Sequence, residues 1–274
     1  MTGRRAPVAR PTTPTDPSLR SRPPPYKHRF PQRSYGPGVA EDIRECTTST
    51  ETLRHLASTS PASQTLEAVD HNDLLKVIEQ WENCSMWSDG RAVESDPTWG
   101  FYIMVTDYSQ TAQNNLDQAM ENLLRVQHRH LNADAHPPDV YADELYRRLK
   151  FDVVMDQEAL DGASDDRVRE CFRAHLRGLE LWDDPDEFMP PSRNYICLVL
   201  DADKIEMLVN LAFQEDDTQE FFTFRACKLK PVDILWERPE TTRSSYRGVR
   251  DLGINSLSRT YLLLESERLN EVEQ

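Results

Sequence analysis

From residue 99 onward, apolar positions fall alternately at the spacing of strands and the spacing of helices. Phe101 to Val105 is a continuous apolar run and reads as a buried strand. Leu116, Met120, Leu123, Leu124, Gln127 and Leu131 then trace a helix. In the next segment Leu149, Phe151, Val153 and Met155 alternate with Lys150, Asp152 and Asp156, the pattern of a strand with one wet face. Val168, Cys171, Phe172, Leu176 and Leu179 mark a second helix, with Ser164 as its cap and Asp165 and Asp166 at its positive end. Tyr195 to Leu200 is a second continuous apolar strand. It is followed by a helix through Ile205, Leu208, Val209 and Ala212. Phe222, Phe224 and Ala226 alternate with Thr223, Arg225 and Cys227 in a last strand over Phe221 to Leu229, and Leu257, Tyr261 and Leu264 suggest a closing helix.

The first and third of these strands are apolar on both sides and belong at the centre of a sheet, whereas the second and fourth alternate and belong at its edges. That reading predicts an α+β fold with a four-stranded ferredoxin-like antiparallel sheet, carrying an extra helix between its second and third strands. A doubly wound parallel sheet is the alternative, but it asks for more strands that are apolar on both faces. The acidic α+β domain then covers residues 99–270. A helical lead-in occupies 66–98, with Leu74, Leu75, Ile78 and Trp81 at helical spacing and Asp70 or Asn72 as caps. Residues 1–65 read as a Pro- and Arg-rich tail followed by a Ser/Thr-rich linker with one short helix around Thr52 to Ala57.

Charge sharpens this division. The 274 residues carry 47 acids against 32 Lys and Arg, a formal charge of -15, and 38% are hydrophobic. These values exclude a collagen-like chain, a transmembrane protein and a globally basic nucleic-acid binder. Residues 1–39 hold eight basic residues and one acid, a net of +7, which leaves -22 on the remainder. The same 39 residues contain nine of the 18 prolines and almost no aliphatic side chains, so they cannot bury enough apolar surface to offset the entropy of ordering. The basic tail reads as disordered.

Five cysteines, Cys46, Cys84, Cys171, Cys197 and Cys227, form no CxxC pair and fit a reducing compartment. No apolar stretch near the N-terminus has the length of a secretory signal, and nine prolines break the helix that a mitochondrial presequence needs. Cytoplasm or nucleus is the expected location.

Trp99-Gly100-Phe101 opening a strand, Asp161-Gly162-Ala163-Ser164 followed by Val168-Arg169 and Phe172, and the strand Tyr195 to Asp201 together resemble a family of uncharacterised proteins from filamentous fungi. The resemblance covers about residues 99–261. It implies a fungal, intracellular, single-domain protein, and it carries over no activity and no site.

Among short motifs, Pro23-Pro24-Pro25-Tyr26 matches the PPxY pattern read by WW domains. A polyproline II segment is already extended, and an exposed tyrosine supplies a ring for an aromatic-lined groove. In fungi such motifs look like docking sites for HECT-class ubiquitin ligases that carry WW domains. A second feature is the set Asp107, Asp201 and Asp203, just past the ends of the first and third strands. Acids converging at one sheet edge can hold Mg²⁺ for phosphoryl transfer; the plainer account is that each caps the helix that follows it. His128 and His130 are two apart on one helix and point in different directions, and His136 follows in a loop; His175 shares the apolar face of Val168 and Phe172 and reads as packed. No GxSxG, HExxH, P-loop or dinucleotide fingerprint occurs.

These features predict a non-enzymatic intracellular interaction protein that uses no cofactor and docks a WW-domain partner through its tail. The alternative is a small-molecule-binding or enzymatic accessory protein of fungal specialised metabolism, with its site on the sheet.

Overall fold

The computed structural model describes residues 30–59, 66–82, 96–132, 140–179, 181, 192–213, 223–236 and 247–264. The chain enters at Phe30 and forms β1 (Gln32–Tyr35), then α1 (Ile43–Cys46), α2 (Thr50–Thr59) and α3 (Leu66–Glu82). The body continues with β2 (Tyr102–Val105), α4 (Gln110–Asn132), α5 (Val140–Arg148), β3 (Phe151–Val154), α6 (Gln157–Leu160) and α7 (Asp165–Gly178). It closes with β4 (Ile196–Leu200), α8 (Ala202–Val209), one helical turn α9 (223–226), β5 (Lys228–Asp233), β6 (Leu252–Gly253) and α10 (Leu257–Leu264).

The strands pair in the order β1-β3-β2-β4-β5-β6. This six-stranded mixed sheet replaces the expected four-stranded antiparallel ferredoxin-like arrangement. β2 runs parallel to both β3 and β4, aligning Ile103 with Val153 on one side and with Leu198 on the other. β1, β5 and β6 add antiparallel strands at the two edges. The expectation that the first and third predicted strands lie at the centre of the sheet corresponds to β2 beside β4, which run parallel. The second predicted strand lands elsewhere, because α4 and α5 together return the chain to the end where β2 began, and β3 must then run alongside β2 in the same sense.

Helices cover both faces, so the central strands are buried on both sides. α3, α4, α5, α8 and α10 pack one face through Leu75, Met120, Leu145, Ile205 and Tyr261. α7 and α6 pack the other through Val168, Phe172, Leu176 and Leu160. β3 is buried along its whole length, although Asp152 interrupts its apolar run. An acid in that position looks like a solvent-facing residue only if its partner is unknown, and this one is neutralised inside the fold by Arg193.

Two further segments differ from expectation. Residues 30–59 belong to the stretch expected as a tail and linker over 1–65; the short helix expected around Thr52 to Ala57 is present as α2, whereas the edge strand β1 and the helix α1 were not expected. Phe30 is buried in the second core, and the backbone oxygen of Pro31 accepts from the Met155 amide at 2.9 Å. The last main strand begins at Lys228, not at Phe221: 223–226 is a helical turn and β5 runs on through Pro231. Pro231 speaks against a strand on composition alone, yet it lies past the β5–β6 ladder, which joins only Lys228 and Leu229 to β6.

Candidate functional site

The polar side chains that the sheet brings together most closely converge on β3. Asp152 projects to the same face as Tyr102, Val154 and Cys197, the side covered by α7. Its carboxylate accepts from Gln32 Nε2 at 3.0 Å, from the Ser34 hydroxyl and from the Arg193 guanidinium, and Lys150 Nζ lies 3.6 Å away. Arg193, in the 3-10 turn Ser192–Asn194 before β4, also donates to Thr98 Oγ1 at 3.3 Å and pairs with Asp96 at 3.5 Å. Its guanidinium stacks 4.7 Å from the centre of the Tyr102 ring.

Burial pushes the Tyr102 phenol up to about 12, with Asp152 and Asp96 adding to the rise. Burial also acts to raise Asp96, but Arg193 and Lys150 outweigh it and hold that carboxyl below its ordinary range. His175, fully buried on α7, sits edge-on to Tyr102 at 5.6 Å, and its Nε2 lies 3.2 Å from Gln32 Oε1. Two acids and two bases therefore balance in one cluster. Asp152 joins β1, β3 and the turn leading into β4, so the arrangement is suited to anchoring the incoming chain. Sequence reading misses this cluster because Asp152 and Arg193 are 41 positions apart. The available signal was an acid set between Phe151 and Val153 in a strand otherwise apolar.

The opposite end of the parallel strands holds the predicted carboxylates. The connections leaving β2 and β3 pass to opposite faces, the position where open α/β sheets hold ligands. Asp107 accepts from the Ser109 amide and hydroxyl at 2.9 and 3.1 Å. Asp201 caps α8, accepting from the Lys204 amide at 2.9 Å, and Asp203 is exposed in the first turn of that helix. Asp156 caps α6 in the same way through the Ala159 amide at 3.0 Å. Parallel pairing does bring Asp107 and Asp201 to one sheet edge, with the Thr106 amide donating to Leu200 O at 2.9 Å. Each carboxylate is nevertheless engaged by its own element. The crevice between β2 and β3 is bridged from within: the Asp156 amide donates to the Tyr108 hydroxyl at 2.6 Å, and the Gly162 amide to Thr106 O at 2.9 Å. Burial pushes the Tyr108 phenol up to about 12.

Among the described residues no group of three or more His, Cys, Asp or Glu side chains is placed to hold a metal ion. His128 packs 4.3 Å from the Tyr146 ring, and His130 is pushed down to about 4 by burial and by the nearby His71; His136 lies outside the described residues. Cys171 and Cys197 are buried thiols, each raised by burial, so neither is an activated nucleophile. Pro23, Pro24, Pro25 and Tyr26 also lie outside the described residues, with Tyr26 four positions before the first of them, Phe30.

No protein-family model, no curated protein and no solved structure matches the chain.

Proposed function

We propose that this chain is an intracellular interaction protein that recruits a WW-domain partner through Pro23-Pro24-Pro25-Tyr26. The observation that carries this reading is where the chain is anchored. Phe30 is buried in the second core and Gln32 and Ser34 are bound to Asp152, so a partner gripping Tyr26 is held beside one edge of the folded body. The polar groups on the sheet support the same reading, since they bind one another or cap helices.

Cys46, Cys171, Cys197 and Cys227 are free thiols, which supports a reducing setting in cytoplasm or nucleus. No helix among the described residues is long and apolar enough to cross a membrane. The test is titration of a purified WW domain from a HECT-class ubiquitin ligase with the full chain and with Tyr26→Ala. Saturable binding that disappears in the variant is expected. Binding that survives the substitution overturns the proposal.

A further inference from the structure

No further inference is drawn: the strongest candidate, the buried and unpartnered amide oxygens of Gln127 and Asn255 at the turn from β6 into α10, calls for a cation or a hydrogen-bond donor beside a helix N-terminus that favours anions, and nothing in the structure shows what covers them.

Discussion

Asp152 and Arg193 meet on the α7 side of the sheet with side chains only 2% and 4% exposed. Neither charge is tolerable at that depth alone, since an uncompensated buried ion costs several kcal/mol. The pair also sets where the N-terminal segment attaches, because Gln32 and Ser34 bind the same carboxylate. Asp152→Asn and Arg193→Met are each expected to destabilise the protein by about 3–5 kcal/mol, read as the shift in urea unfolding free energy. The double variant Asp152→Asn/Arg193→Met is expected to lose far less than the sum, because no stranded charge remains. Strictly additive losses show that the two side chains do not act as a unit.

That pair also explains how much of the architecture was legible. The strands at Phe101 to Val105 and Tyr195 to Leu200, the helices around Leu123 and Phe172 and the Ser164 cap follow from periodicity and local capping chemistry, and all are present. The topology was not legible, since the rule used to separate central from edge strands reads polar as exposed. Asp152 breaks that rule through a partner 41 residues away, which no local pattern reveals. β1 was hidden for a related reason. Gln32, Arg33 and Ser34 carry no apolar signal, and the strand forms because β3 offers it a carboxylate and a free edge. Among the candidate carboxylates, the convergence of Asp107 and Asp201 was readable from strand order, and the Asp201 cap from the helix that follows it; Asp107 instead holds Ser109, whose hydroxyl accepts the Ala112 amide at the start of α4.

Asp201 tests capping against metal binding directly. Its side chain accepts the Lys204 amide at the start of α8. Asn caps a helix about as well as Asp, whereas Ala does not, at a cost of about 1 kcal/mol. Asp201→Asn is therefore expected to unfold at nearly the same urea concentration as the unaltered chain, and Asp201→Ala about 1 kcal/mol sooner. A stabilisation by millimolar Mg²⁺ that both variants abolish contradicts the capping account.

Gly100 lies between Trp99, bridged to Leu149, and the first residue of the central run, with φ at +132°. A Cβ there falls on the backbone oxygen of Lys150, which belongs to rigid chain next to β3. The Trp99 carbonyl accepts from the Lys150 amide at 2.8 Å, so the two segments cannot separate without losing that bond. Gly100→Ala combines a strained backbone, about 1–3 kcal/mol by itself, with this collision. The expected result is a loss at or above the upper end of that range in thermal or urea unfolding, with Gly162→Ala milder because open space surrounds its site. Equal effects at the two glycines contradict the close-approach argument.

His130 gives the fold a pH dependence of defined sign. Burial on α4, with His71 of α3 adding repulsion, lowers it from 6.5 to about 4. In the unfolded chain the imidazole returns to its ordinary range, so between about 6.5 and 4 the unfolded state binds the proton more readily than the folded one. The stability contributed by the neutral, packed ring is fully present above about pH 6.5 and is lost as pH falls toward 4. Its size is on the order of 2–3 kcal/mol, from the shift and the ring's partial exposure. His130→Gln removes the titration and keeps a polar side chain of similar length. Urea unfolding of both proteins at steps from pH 7.5 to 4 is expected to show the unaltered chain falling more steeply than the variant, with the difference confined to the interval below 6.5. Carboxylates common to both proteins cancel in that difference. Parallel curves mean that His130 takes up its proton in the folded protein as readily as in the unfolded one, and that neither its burial nor the neighbouring His71 makes the fold pH-sensitive through this ring.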